Sequence, residues 1–282
     1  ATGDEAYLNL SFSTASNTTS RASRAGDIGN NETQANPTAE SDIHSIKVWV
    51  FKSGTGESAN PIAYKEDNTP TAVGGGTANG NYTLNLRFLR KINGEELKKI
   101  DLYILANSES TNMADKLKNK DFRSITRADL QGVTFDNPFG ITAEGKAQTT
   151  KVPNGKGLPI SRAITNIELA NHVADTEIEA KGKGIKIPLV RAVSKLHFYF
   201  ARKANANTEN VKVTKIEIDE NTFPTESYVF PDEENYATAD ANKAATSNKY
   251  VTPSYVPTLL KLDGVENAQI KAVADPLAYQ RG

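Results

Sequence analysis

Tyr7-Leu8-Asn9-Leu10-Ser11-Phe12-Ser13 alternates apolar with polar residues at every step. Successive side chains of a strand point to opposite faces, so Leu8, Leu10 and Phe12 share one face and leave the other polar. The spacing predicts a half-buried β-strand. Reading outward, Asp42-Ile43-His44-Ser45-Ile46-Lys47-Val48-Trp49-Val50-Phe51 is a second strand. Ile46, Val48 and Val50 lie on one face and Trp49 and Phe51 on the other, which predicts a central position. Residues Tyr82 to Phe88 turn Leu84, Leu86 and Phe88 inward, and Ile100 to Ala106 follow after a polar turn at Asn93-Gly94. One wet face and short polar turns suit hairpins, so these two read as antiparallel neighbours. Ile185 to Phe200 is too long for one strand, and Pro188 has no N–H for a central ladder, so the block is split at Pro188. Val211 to Ile218 alternates again, with a break at Thr214-Lys215 that suits a bulge. Helices are minor. Met113 and Leu117 sit at i, i+4, and Thr126 precedes Asp129 as an incomplete capping box. Gly182-Lys183-Gly184 reads as a hairpin turn.

Composition narrows the function. At roughly 150 residues per domain, 282 residues suggest two domains. Thirty-three Lys+Arg against 34 Asp+Glu leave a net charge of −1, with no long-range attraction to nucleic acid. The absence of Cys excludes thiol nucleophiles, disulfides and thiolate metal sites. No apolar run approaches the roughly 20 residues of a membrane helix. Residues 1–20 lack a basic region followed by an apolar one, and the opening Ala-Thr-Gly-Asp-Glu reads as a chain that has already lost a signal peptide. Residues 14–41 contain one large aliphatic, Ile28, and are expected to be a mobile linker. Residues 68–80, with Gly74-Gly75-Gly76, and residues 231–250 have the same loop character.

No catalytic constellation emerges. Gly74-Gly75-Gly76 lacks the Lys-Ser/Thr of a phosphate cradle. His44, His172 and His197 are far apart, and His197 lies in an apolar block that suits a core histidine. Glu95-Glu96 and Asp232-Glu233-Glu234 read as solvated charge, and Asp219-Glu220-Asn221 lacks the glycine and terminal Glu of a calcium loop. No nucleophile, base and orienter are found together. The expectation is a non-enzyme with no metal and no cofactor. Aromatic residues are only 7% and Trp occurs once, which disfavours a carbohydrate-active sandwich module.

Five blocks, in order, resemble the fimbrillins, the FimA-type subunits of type V pili of Gram-negative anaerobes. They are Ser20-Arg21-Ala22-Ser23-Arg24-Ala25-Gly26-Asp27, placed where that family carries an Arg-Ala processing site; Ile46-Lys47-Val48-Trp49-Val50-Phe51-Lys52-Ser53-Gly54; Asp101-Leu102-Tyr103-Ile104-Leu105-Ala106-Asn107; Gly157-Leu158-Pro159-Ile160-Ser161; and Leu189-Val190-Arg191-Ala192-Val193-Ser194-Lys195-Leu196, with Ser194 where the family has Ala. The likeness runs over residues 6–200 and fades after 220.

The resemblance implies an all-β chain of two tandem transthyretin-like sandwiches. Here they would be residues 1–187 and an incomplete 188–282. It implies export through the periplasm and outer membrane as a lipoprotein precursor, and a place in a cell-surface fimbrium. An Arg-specific, trypsin-like protease would cut at Arg24–Ala25, or alternatively at Arg21–Ala22. Strand 6–13, with Leu8, Leu10 and Phe12, would then leave, and a strand of another fimbrial subunit would enter the groove to build a head-to-tail polymer. That first strand is expected at the edge of its sandwich, because an uncovered edge is what a donor strand completes. The alternatives are a non-polymerising tip or accessory adhesin that binds a host or bacterial surface ligand, and the carbohydrate-active module.

Overall fold

The computed structural model describes residues 5–14, 42–71, 78–79, 81–136, 146–147, 156–191 and 226–230, and short strand segments at 201–203, 212–213, 217–218, 260–262, 268–269 and 271–273. The Arg21 and Arg24 sites, the Gly74 triplet, His197, and the acidic groups at 219–221 and 232–234 lie outside the described residues, as does most of the second unit expected over 188–282.

The strands up to residue 191 are β1 (Glu5–Thr14), β2 (Asp42–Ile43), β3 (Ile46–Lys52), β4 (Ala63–Asp67), β5 (Ala78–Asn79), β6 (Asn81–Leu89), β7 (Lys91–Ile92), β8 (Glu95–Glu96) and β9 (Lys99–Ala106). They continue with β10 (Thr134–Asp136), β11 (Lys146–Ala147), β12 (Ile160–Glu168), β13 (Val173–Ala174) and β14 (Ile185–Arg191). The helices are α1 (Met113–Lys116), α2 (Arg127–Gln131) and α3 (Glu177–Lys181). The fold is therefore all-β, and apart from the β1–β14 pair its principal ladders are antiparallel.

Two layers face each other. One runs β6–β1–β14, with β13 beside the first half of β1, and the other runs β14–β12–β9–β3–β4. β14 belongs to both: Ile185 to Leu189 pair with β1, and Val190 and Arg191 pair with β12. The strand thus does not break at Pro188. At that position its ladder partner is Ser13 of β1, and β12 joins the other side only from Val190 onward. A proline without an N–H is tolerated where the second side is unpaired. Ile187 and Leu189 point into the core and Pro188 outward.

The core between the layers is filled at period two by Ala6, Leu8, Leu10 and Phe12 of β1, Leu84, Leu86 and Phe88 of β6, Ile46, Val48 and Val50 of β3, and Ile100, Leu102 and Ile104 of β9. β6 and β9 are not hairpin partners, as their alternation suggests. The Asn93-Gly94 turn, with φ of 52° and 84°, closes only the short β7–β8 hairpin. Beyond that turn the chain crosses to the opposite layer, where β9 pairs with β3 and β12. Tyr82 links the layers on that side by donating its hydroxyl to Asp67. Burial, then the bond to Asp67, raises the phenol well above the ordinary tyrosine range.

β3 is central, between β9 and β4, and buried on both faces. Its outer face joins a second cluster in which Trp49, Phe51, Tyr103 and Leu105 are covered by Met113, Leu117, Leu130, Val133 and Phe230. Phe230 follows strand Glu226–Tyr228, which pairs with β10, so a later segment of the chain covers the outer face of β3 and β9. Thr126 and Asp129 form a complete capping box: Asp129 N–H donates to Thr126 Oγ1 at 3.2 Å and Thr126 N–H to Asp129 Oδ2 at 2.9 Å. Gly182 ends α3 and does not form a hairpin turn.

Two polar knots tie loops and α2 to the β9 layer. Arg127 Nη1 lies 2.7 Å from Asp101 Oδ2, with both side chains less than 10% exposed. Asp101 Oδ1 also accepts from Ser53 Oγ at 2.6 Å and Asn166 N–H at 2.8 Å. The second knot joins two of the blocks quoted above. Asn107 is left-handed (φ 59°) and fully buried. Its Nδ2 donates to Leu158 O at 2.6 Å and Asp42 O at 2.9 Å, and its Oδ1 accepts from His44 N–H at 2.8 Å. Gly157 (φ 68°) passes so close that a Cβ there would sit 2.4 Å from Asn107 Nδ2.

Candidate functional site

The seat of β1 is where the sequence-based expectations converge. Leu8, Leu10 and Phe12 are brought together on one buried face, as their alternation requires, and Ala6 joins them. Phe12 stacks on Tyr82, ring centroids 6.3 Å apart and 12° from parallel.

The expected edge position is wrong. β6 pairs antiparallel along one side of β1, from Glu5 opposite Leu89 to Ser13 opposite Asn81. On the other side β13 pairs antiparallel with Tyr7 and Leu8, and β14 pairs parallel with Leu10 to Thr14. β1 is an interior strand. The alternation of Leu8, Leu10 and Phe12 reports one buried face but is silent on how many neighbours flank a strand, and the second neighbour comes from residues 173–189, remote in sequence. Withdrawing β1 would therefore open a slot with two unpaired ladders and an apolar floor, rather than expose one sheet edge.

The outer face of the seat is covered at Asn9, while Tyr7, Ser11 and Ser13 beside it stay half-buried. Between β13 and β14 the chain forms α3, which packs across β1 with Ala180 buried. Thr176 caps α3, its Oγ1 accepting from Glu179 N–H at 3.3 Å. Beneath it Asn9 is 4% exposed. Asn9 Nδ2 donates to Asn85 Oδ1 at 2.5 Å, and Asn85 Nδ2 donates to Glu177. At one end of the strand Glu5 takes the Arg87 guanidinium, and its backbone oxygen accepts from Arg90 Nε at 3.1 Å. The Glu5 bond moves Arg87 upward from the ordinary arginine value, although exposed pairs of this kind contribute little stability.

Sequence reading singled out the core-facing residues and missed Asn9, Asn85 and Gly184. A signal was present: Leu-Asn-Leu-x-Phe occurs at 8–12 and again at 84–88. Among the described residues no group of His, Asp or Glu is arranged to hold a metal ion. His172 Nδ1 lies 3.0 Å from Lys183 O, and Glu95 pairs with Lys52 at 3.0 Å. No helix among the described residues is long and apolar enough to cross a membrane.

No protein-family model matches the chain, and no curated protein matches it. Solved structures that it resembles include three from Parabacteroides distasonis. A candidate cell adhesion protein has a TM-score of 0.46 and 16% identity, over 93% of this chain and 67% of that one. A fimbrial assembly protein has a TM-score of 0.40 and 17% identity, over 80% and 67%. A second candidate cell adhesion protein has a TM-score of 0.40 and 17% identity, over 80% and 51%, so this chain spans about half of its length.

Proposed function

We propose that the chain is a non-catalytic structural subunit of a cell-surface fimbria, a pilin precursor whose first strand is released by proteolysis and replaced by a strand of a neighbouring subunit. The observation that carries this reading is the seating of β1. One segment supplies four side chains to the core and fills a two-sided slot. It is joined to the rest of the first unit through residues 15–41, which contain Arg21 and Arg24. A cut at either Arg leaves β1 held by non-covalent contacts alone. A slot with two open ladders then offers an incoming strand main-chain bonds on both sides and apolar pockets at alternate positions. Strand donation from one copy to the next is a head-to-tail contact that does not close, and it propagates a filament. Arg-specific processing, outer-membrane export and fimbrial location follow from the fimbrillin resemblance and are part of the proposal.

Limited trypsin digestion followed by size-exclusion chromatography with light scattering tests it. Cleavage at Arg21 or Arg24 should leave a folded body that loses the fragment ending there and forms multimers over time. A trimmed body that stays monomeric at high concentration would sink the pilin reading.

A further inference from the structure

The core face of β1 marks its register only at its ends, where Ala6 and Phe12 differ in size. In the middle Leu8 and Leu10 are the same residue two positions apart, so a slip by two residues keeps the inward face inward and returns a leucine to a leucine pocket there. The outer face breaks that degeneracy. Asn9 is buried, opposes Asn85 in the ladder, and donates to its Oδ1 at 2.5 Å. Gly184 presses from the other side: a Cβ at that position would lie 2.7 Å from Asn9 Oδ1. A two-residue slip brings Tyr7 or Ser11 opposite Asn85. The ring of Tyr7 has no room against Gly184, and Ser11 is too short to replace the carboxamide.

We infer that Asn9, Asn85 and Gly184 form a polar register lock, and that a strand able to replace β1 carries Asn between two apolar residues at this point. The inference rests on the pilin reading and specifies the partner: a strand of another subunit with apolar side chains at four alternate positions and a carboxamide between the middle two. As with a single buried Asn in a coiled coil, the polar pair selects one register. An apolar residue in place of Asn9 takes one hydrogen bond from the half-buried Asn85, whose Nδ2 keeps Glu177, so association weakens by about threefold to tenfold.

The test uses the full chain, nicked by trypsin in the 15–41 segment, and isotope-labelled synthetic peptides of residues 5–14. Entry is followed by native mass spectrometry and register by NMR contacts to β6. The native peptide should enter in the register Asn9 opposite Asn85, and the Asn9→Leu peptide should bind about threefold to tenfold more weakly or in more than one register. In a Gly184→Ala chain the native peptide should lose most of its advantage over the Asn9→Leu peptide. Equal binding of both peptides in one register would overturn the lock while leaving the exchangeable slot intact. Failure of the native peptide to enter at all would remove the pilin reading and the lock together.

Discussion

Replacing Leu10 by Ala measures how the first strand is held. Leu10 is fully buried between the two layers. A Leu→Ala change in such a core costs about 2–5 kcal/mol, and about 3 kcal/mol corresponds to a factor of about 150 in an equilibrium constant. In the intact chain the linker keeps the strand at an effective concentration on the order of millimolar, so L10A should lower the melting temperature yet leave the fold in place. Cutting at Arg21 or Arg24 removes that tether. Burial of Leu8, Leu10 and Phe12 at about 2 kcal/mol each still gives the cut strand about 6 kcal/mol of apolar attachment, so the unsubstituted fragment should remain seated and leave slowly. The L10A fragment should dissociate about a hundredfold faster. Native mass spectrometry of the nicked proteins at successive times gives the fraction of bodies that retain the fragment. Equal release from both proteins would refute the claim that core contacts hold the strand.

Three further substitutions probe the scaffold around the slot. Asp101→Ala strands the buried Arg127 guanidinium and should cost about 3–5 kcal/mol, measured by urea unfolding; joint replacement of both residues by apolar ones should cost much less. Gly157→Ala places a methyl group against Asn107 Nδ2 at positive φ; it should destabilise by about 2–4 kcal/mol from backbone strain and lost hydrogen bonds, and less when Asn107 is also Ala. Asp129 is held below the ordinary carboxylate value: burial opposes this, but bonds from Lys120 and from the Thr126 backbone and hydroxyl together outweigh it. The carboxylate therefore contributes stability that is present above the unfolded pKa of about 4 and is lost as pH falls through the lower folded value. Asp129→Asn should narrow its stability gap to the unsubstituted protein as pH drops below about 4, and a gap that is constant from pH 7 to pH 3 would contradict the assignment.

The strands legible in the sequence are those with a marked apolar pattern. β1 and β6 carry apolar residues at period two, β3 and β9 are apolar on both faces, and all four are found. β12 was not legible, because a bulge between Ile164 and Ile167, with Asn166 at positive φ, breaks its alternation. β4 is mostly polar, as suits the end of a layer, and gives no apolar signal. Pairing was harder to read than strand content. β6 and β9 look like hairpin partners because a short polar turn separates two apolar strands, yet β9 is buried on both faces and lies in the opposite layer of the sandwich. The interior position of β1 depends on β13 and β14, whose parallel and antiparallel contacts leave no local mark on residues 5–14. Asn9 looked like any polar outward position, and its burial comes from α3, a helix too short to announce itself. Asn107 and Gly157, in contrast, lay in blocks already singled out, and their shared knot gives those blocks a structural reason.

The most direct measurement is a high-resolution structure of the multimer formed after cleavage at Arg21 or Arg24. The account predicts that residues 5–14 are gone from each body and that a strand from another copy lies between β6 and β14, with its side chains in the pockets left by Leu8, Leu10 and Phe12. A multimer in which every body keeps its own first strand, or in which β6 has closed directly onto β14, would contradict it.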